Sequence, residues 1–224
     1  MDLPFSTEEF LAVFKKYNTA VWPLQFILIL LALAATFLIF KKKPTGDGII
    51  IFILALLWLW MGIIYHLIYF TEINKAAYLF AGVFIFQAAL FLYSGVFCNK
   101  ISFRLRLDFY GTIAVFFIFY AISVYPLISF LSGHVYPATP TFGLPCPTTI
   151  FTLGILLWAN KKTPLYIFII PLLWSIVGFF AAIRLGMFEN IFLFIAGLIV
   201  LTRITGNVVH KKKKSVTIKF YEKS

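Results

Sequence analysis

The chain has 224 residues, of which 62% are hydrophobic, 20% are aromatic and only 12% are charged, a composition too apolar for a soluble domain of this size. The formal net charge of +11 would suit nucleic acid, but the Lys and Arg residues lie in short clusters between apolar runs. The sequence therefore predicts an all-α, polytopic transmembrane helical bundle. Its expected partner is the lipid bilayer, and nucleic acid is excluded.

Residues 6–18 predict a short interfacial helix before the first apolar run. Ser6 and Glu9 have the spacing of a capping box, and Phe5 and Phe10 that of a hydrophobic staple. The apolar residues that recur at helical spacing are Phe10, Leu11, Phe14 and Tyr17. The polar residues elsewhere on the helical wheel are Glu8, Lys15 and Asn18. Two interpretations stay open: a helix lying on the outer membrane surface, or a cap packed over the bundle.

Apolar runs of about 20 residues are long enough to cross a bilayer as helices. Six such runs are clear, at residues 22–40, 49–70, 76–97, 110–131, 164–183 and 188–205. A seventh stretch, 148–160, would reach only about 20 Å, which is short of a hydrocarbon core of about 30 Å.

Basic clusters decide whether this short stretch crosses, because Lys and Arg favour the cytoplasmic side. The clusters are Lys41–Lys43, Lys100 with Arg104 and Arg106, Lys161 with Lys162, and Lys211–Lys214. Only seven crossings place all of them on one side of the membrane. The sequence thus predicts about seven spans, with the N-terminus outside, the C-terminus inside and residues 206–224 as a basic cytoplasmic tail.

The Pro-rich segment, residues 132–149 (SGHVYPATPTFGLPCPTT), contains four prolines and cannot form a regular helix. Because the next helix is short, we expect this segment to lie partly within the membrane, either buried in protein or lining a wet cavity. A half-helix should begin near Pro147, with Thr148 and Thr149 in a first turn whose free N–H groups face a site. The segment is then either a rigid plug or a ligand site.

Several polar residues are expected at the level of this segment and are candidates for one ligand-binding cavity. They are Gln25, His66, His134, Tyr136, Cys146, Thr148 and Thr149. Imidazole and thiolate suit copper, zinc or haem, so His66, His134 and Cys146 are also candidate metal ligands, although no metal-binding spacing accompanies them. The alternative for His66 is a structural histidine held by hydrogen bonds. The sequence itself requires no cofactor.

Motifs of known chemistry are absent from the sequence. The eight acidic residues fall in loops, tails or span ends, so no carboxylate is expected within the membrane as a proton relay. No HExxH, GxSxG or P-loop pattern occurs, so we do not expect a hydrolase or a nucleotide-binding enzyme.

Three segments carry a resemblance to known proteins: PFSTEEFLAVFKKYN, LLWLWMGIIYHLIYFTEIN and GHVYPATPTFGLPCPTTIFTLG. They resemble a family of uncharacterised bacterial multi-pass membrane proteins, a domain of unknown function with a GHxYPxxPTFGxPCPTT loop motif. The resemblance covers roughly residues 4–198. It implies a location in the bacterial inner membrane and brings no activity or ligand set with it.

The leading functional hypothesis is that the protein binds or transports a small solute or metal through an outward-facing pocket. The Pro-rich segment, His66 and the half-helix start at Thr148 would form that pocket. One alternative is a non-catalytic membrane subunit or accessory protein that packs against a membrane-protein partner or a second copy of itself. A second alternative is a membrane-embedded metal or haem redox protein.

Overall fold

The computed structural model describes residues 4–41, 44–160 and 162–221, and side chains throughout these ranges except at residues 44 and 207–221. The α-helices in these ranges are α1 (Thr7–Val21), α2 (Leu24–Lys41), α3 (Pro44–Trp60), α4 (Ala77–Phe91), α5 (Phe109–Phe119), α6 (Tyr125–Leu131), α7 (Pro145–Leu156), α8 (Tyr166–Arg184) and α9 (Ile191–Tyr221). Lys42, Lys43 and Lys161 of the predicted basic clusters, and residues 222–224 of the predicted tail, lie outside the described residues.

Wider π-helical turns prolong three of these helices. They are Met61–Tyr69 after α3, Leu92–Phe97 after α4 and Tyr120–Val124 between α5 and α6. Single 3₁₀ turns at Phe70–Glu72 and Phe188–Asn190 complete the helical segments. π-Helical turns are rare and occur frequently at functional sites.

Six helical stretches are long and apolar enough to cross a membrane, and each overlaps one of the six long spans predicted from the sequence. They are Leu24–Lys41, Thr45–Glu72, Ala77–Phe97, Phe109–Leu131, Tyr166–Arg184 and Phe188–Gly206. Large apolar side chains on their outer faces, such as Leu30, Phe86 and Phe180, are exposed. Exposed apolar surface on this scale needs lipid as its solvent, so the chain is a multi-pass helical membrane protein.

The short helix α7 lies at the centre of the bundle. Its 12 residues, about 18 Å of helix, are all buried except the half-buried Cys146. It packs against α5, α8 and α9, and its Thr152 hydroxyl accepts a hydrogen bond of 3.1 Å from Trp58 Nε1 on α3. A helix enclosed by other helices has no charged face, and α7 contains no charged residue.

Other segments supply hydrogen-bond partners to the backbone beyond the C-terminal end of α7. Arg104 N donates to Trp158 O at 2.9 Å, and Asn160 N donates to Ser102 O at 2.8 Å. The buried Arg203 of α9 donates to Leu156 O at 2.7 Å and also to the carbonyl of Ala159. These contacts provide partners for carbonyls that a helix end leaves free. The role of Arg203, inside a predicted span, was not anticipated from the sequence.

Helix α1 has the local features that its sequence predicts. Ser6 N donates to Glu9 Oε2 at 2.7 Å and Glu9 N donates to Ser6 Oγ at 3.2 Å, so the capping box is confirmed. The rings of Phe5 and Phe10 stack with their centroids 5.6 Å apart, as the staple predicts. The helix extends to Val21, beyond the predicted end at residue 18.

The burial of α1 differs from the prediction at one position. Asn18, expected on the polar side of the helix, is fully buried beside Phe14 and Tyr17. The reason is that α1 packs over the bundle, against the π-helical turn Met61–Tyr69, and is covered in turn by the Pro-rich segment. We call the end of the bundle that carries α1 and this segment the capped end.

At the opposite terminus, α9 continues to Tyr221, whereas the sequence predicted a span ending at residue 205 and a separate tail from residue 206. The first part of the basic tail therefore prolongs the helix. The lysines of the tail are compatible with a helix, because lysine is a good helix former.

Candidate functional site

A cavity of about 500 Å³ lies at the capped end of the bundle. Its walls come from α1, the π-helical turn Met61–Tyr69, the start of α7, the second half of α8 and the turn before α9. Most of its lining side chains are aromatic or aliphatic, including Phe14, Phe70, Phe80 and Leu185. The volume is within the usual range for small-molecule sites.

His66 is the most unusual residue in this wall. It has no exposed surface, and neither Nδ1 nor Nε2 has a hydrogen-bond partner among the described residues. Its ring is surrounded by aromatic rings, with centroids 4.7 Å from Phe84, 5.3 Å from Trp174 and 5.7 Å from Phe80. The structure thus differs from the alternative of a histidine held by hydrogen bonds. Buried polar groups without partners are costly, so the two nitrogens are available to any hydrogen-bonding group that enters the cavity.

Trp174 and Cys146 extend the polar part of the same wall. The indole Nε1 of Trp174 is buried and lacks a hydrogen-bond partner among the described residues. A Cβ atom added at Gly178 would lie 3.4 Å from that nitrogen and 3.6 Å from Cys146 Sγ. The same Cβ atom would lie only 2.9 Å from Leu193 Cδ2, so the glycine permits close packing of α8 against α9 beside the indole and the thiol.

The Pro-rich segment forms the roof of the cavity through Pro140, Leu144 and Pro145. Asn18 holds this roof in place. Its Nδ2 donates to the carbonyls of Pro137 and Thr139, both at 2.7 Å, and its Oδ1 accepts from the Thr141 hydroxyl at 2.7 Å. The segment is thus held against α1 and also forms part of the cavity wall.

Gln25 and Tyr136, two of the predicted site residues, contact Asn18 rather than the cavity. Gln25 Nε2 donates to the Asn18 carbonyl at 3.0 Å, and Tyr136 Oη donates to the same oxygen at 3.3 Å. Gln25 is buried, whereas Tyr136 is exposed. Their contacts support the cap, and neither residue lines the cavity.

Thr148 and Thr149 are buried in the first turn of α7, but they do not face the cavity. Thr148 Oγ1 accepts a hydrogen bond of 3.0 Å from Gly143 N, where φ is +102° and a side chain would be strained. Thr149 Oγ1 has no partner among the described residues.

The helix begins at Pro145, two residues earlier than predicted, and this changes the expected site of free N–H groups. Pro145 and Pro147 have no N–H, and Thr148 N donates to Leu144 O at 3.2 Å. Within this described turn, Cys146 therefore supplies the one free N–H.

His134 lies on the other side of the cap, next to an unexpected acidic residue. Its Nδ1 is 3.5 Å from Ser129 Oγ and 3.9 Å from Glu189 Oε1. Glu189 was expected in an exposed loop, but its side chain is fully buried and neither carboxylate oxygen has a hydrogen-bond partner among the described residues. The 3₁₀ turn Phe188–Asn190 brings it inside, where its backbone carbonyl accepts from Tyr120 Oη at 2.7 Å.

The three predicted metal ligands are therefore separated by the fold. His66 and Cys146 line the cavity, whereas His134 does not. Within residues 4–41, 45–160 and 162–206, whose side chains the structure describes, no group of three or more His, Cys, Asp or Glu side chains is placed to hold a metal ion. His66 and Cys146 therefore line the cavity without the third ligand that the prediction included.

The sequence did not predict a role in this region for three residues: Asn18, Trp174 and Glu189. Asn18 could have been noticed as a polar residue one position after Tyr17 on a face that carries Phe14. No local signal marks Trp174, because aromatic residues are frequent along α8. Glu189 stands at the start of a span, where an exposed position is the ordinary expectation.

A model described as "Family of unknown function (DUF6064)" matches residues 7–215 of the chain. No curated protein and no solved structure matches the chain. The family match agrees with the resemblance to a domain of unknown function, and it brings no activity with it.

Proposed function

Since the chain belongs to the family of unknown function DUF6064, we propose its function from the cavity: binding of a small molecule within the membrane at the capped end. The observation that carries this proposal is His66, a fully buried imidazole with two nitrogens that lack partners among the described residues, in the wall of a cavity of about 500 Å³. A ligand that occupies the cavity and hydrogen-bonds to His66 would remove the cost of those unpaired groups.

The proposal includes seven crossings of a bacterial inner membrane, with the capped end outside and the C-terminus in the cytoplasm. The contacts of Trp158 and Asn160 with Arg104 and Ser102 support it, because they bring the end of α7 to the loop that follows the third span. This pairing supports a cytoplasmic position for Arg104 and the neighbouring basic residues, because Lys and Arg favour that side of the membrane.

Native mass spectrometry of the full chain, released from detergent micelles after purification from its membrane, tests the proposal. We expect a bound small molecule in the unmodified protein and its loss in Ala181→Phe, which fills the cavity from α8. Leu173→Phe is the matched control, because Leu173 is exposed on the same helix and does not line the cavity.

His66→Phe keeps the aromatic packing and removes both nitrogens, so it should also reduce ligand occupancy, by about tenfold for one lost hydrogen bond. The proposal is wrong if no small molecule accompanies the protein, or if the same molecule remains bound to the Ala181→Phe and His66→Phe variants.

A further inference from the structure

We infer that the ligand of this cavity is a neutral, lipid-soluble ring compound with carbonyl or hydroxyl oxygens, of the quinone and quinol class, which enters sideways from the bilayer. The inference rests on the proposed function, since it names the chemical class of the molecule bound there. Four features of the cavity carry it: its opening, its charge, its unpartnered polar atoms and its aromatic walls.

Every lining side chain of the cavity that is exposed lies on α8, which is where we place the opening. Ile176, Val177, Phe180 and Ile183 line the cavity, and each also has between 44% and 60% of its surface exposed on the outside of the bundle. Ile176 and Val177 lie near the middle of this 19-residue helix, which is one of the candidate spans. An opening that begins at mid-helix lies at the depth of the hydrocarbon core, so a molecule dissolved in lipid reaches it without passing through water.

The charge of the lining selects an uncharged head group. Among the described lining residues, Arg184 is the one that carries a full charge at neutral pH, and it is exposed at the last residue of α8. The deep wall around His66 and Trp174 has no carboxylate or ammonium group among the described residues. An ionic head group placed there would lose its hydration without gaining a counter-ion, which is strongly unfavourable in a membrane interior.

The deep wall offers hydrogen bonds of a particular kind. Trp174 Nε1 is a donor, and a neutral His66 ring has one donor nitrogen and one acceptor nitrogen. All three atoms are buried and unpartnered among the described residues. A carbonyl oxygen matches the donors, and a hydroxyl group matches the acceptor as well, so quinone-type and quinol-type oxygens fit this set.

The walls beside these atoms suit a flat ring. The His66 ring makes edge-to-face contacts with Trp174 and Phe80, which themselves meet with centroids 5.4 Å apart. Tyr65 and Phe70, whose rings stack at 5.5 Å, form another part of the lining. Aromatic rings pack favourably on such surfaces, so the ring of the ligand would lie among these side chains while its tail leaves along α8.

Quenching of tryptophan fluorescence in the full chain, reconstituted in lipid nanodiscs, tests this inference. The probe is a fully substituted benzoquinone with a ten-carbon tail, whose ring has no free position for thiol addition. We expect saturable quenching that is mostly lost in Trp174→Phe. The matched control, Trp22→Phe, should keep it, because Trp22 is exposed and does not line the cavity. His66→Phe should weaken the apparent affinity by about tenfold.

Two competing ligands test the contributions of the ring and the tail separately. Decanoic acid has the tail without the ring, and tetramethylbenzoquinone has the ring without the tail. We expect each to compete at least tenfold more weakly than the tailed quinone. Equal competition by decanoic acid would overturn the ring preference, and equal binding of the tailless ring would overturn the placement of the tail along α8. If native mass spectrometry finds a bound molecule but the quinone gives no saturable quenching, the chemical class is wrong while small-molecule binding stands.

Discussion

Gln87 Nε2 on α4 donates a hydrogen bond of 3.1 Å to the carbonyl oxygen of Ile167 on α8. That carbonyl has no partner within its own helix, because the residue four positions later is Pro171, which lacks an N–H. A buried amide thus takes over the hydrogen bond that a proline removes, and it joins two candidate spans. Membrane helices tolerate proline when a neighbouring helix supplies such a partner.

Replacing Gln87 by Leu should destabilise the protein by about 1–3 kcal/mol, because the Ile167 carbonyl is then buried without a donor. In a Pro171→Ala background the same replacement should cost much less, since the backbone at position 171 would then supply an N–H to that carbonyl. Thermal unfolding in detergent of the four proteins gives the coupling energy directly. Equal losses in the two backgrounds would show that Gln87 does not act through Pro171.

Asn18 should be the main determinant of the position of the cap. Asn18→Ala removes three side-chain hydrogen bonds to the Pro-rich segment and leaves the buried Thr139 carbonyl and the part-buried Pro137 carbonyl without this donor. A loss of about 3 kcal/mol is therefore expected. Thermal unfolding measures this loss, and faster proteolysis within residues 132–144 should accompany it.

The control for Asn18 is Thr19→Ala, the next position on α1. The Thr19 side chain is exposed, and its hydroxyl bonds to the carbonyl of Lys15 in the same helix. Its replacement should change stability by no more than about 0.5 kcal/mol. If both variants behave alike, then Asn18 does not anchor the cap.

The sequence predicted those parts of the fold that depend on neighbouring residues. The six long spans follow from continuous apolar runs, and the capping box of Ser6 and Glu9 follows from a spacing of three residues. Both are decided within one segment of chain, so no knowledge of the rest of the fold is needed.

The candidate site depends on contacts between distant segments, and the sequence predicted only part of it. His66 and Cys146 were expected to face one cavity, and both line it. The roof required a contact between Asn18 and Thr139, and the polar wall required Trp174 to approach His66, more than 100 positions away in each case. Contacts between distant segments leave no periodic pattern in the sequence. The sequence therefore predicted a site at free N–H groups near Thr148, whereas the polar wall of the cavity lies around His66.

Alkaline pH should weaken the attachment of α1 through Tyr17. Burial raises the pKa of Tyr17 above the usual tyrosine range, in spite of the hydrogen bond of 2.8 Å that Trp60 Nε1 donates to its hydroxyl. A raised pKa in the folded state means that the neutral phenol stabilises the fold. This contribution is complete below about pH 10, the ordinary tyrosine pKa, and is lost as the pH rises further.

The comparison of the unmodified protein with Tyr17→Phe isolates this contribution. Near neutral pH the variant should be less stable by about 1 kcal/mol, because the bond to Trp60 is lost. Above about pH 10 the two melting temperatures should converge, since only the unmodified protein loses stability through this residue. If the melting temperatures of the two proteins differ by the same amount at every pH, groups other than Tyr17 cause the loss of stability at alkaline pH.

Single cysteines at exposed positions should decide the topology, including whether α7 counts as a crossing. In a Cys98→Ser, Cys146→Ser background, Ser132→Cys reports on the capped end and Leu107→Cys on the opposite end, and both positions are exposed. With an impermeant thiol reagent on intact cells, we expect Ser132→Cys to react and Leu107→Cys to react only after the membrane is opened.

The third position, Lys162→Cys, tests the short helix directly, because it is exposed just after α7. Seven crossings place it on the same side as Leu107, whereas a segment that enters and returns would place it with Ser132. The pairing of Asn160 with Ser102 predicts the first result, since that contact brings residue 162 close to the loop that contains Leu107. Reaction of Lys162→Cys together with Ser132→Cys in intact cells would reduce the number of crossings to six. Reaction of Leu107→Cys and Lys162→Cys without Ser132→Cys would reverse the proposed orientation.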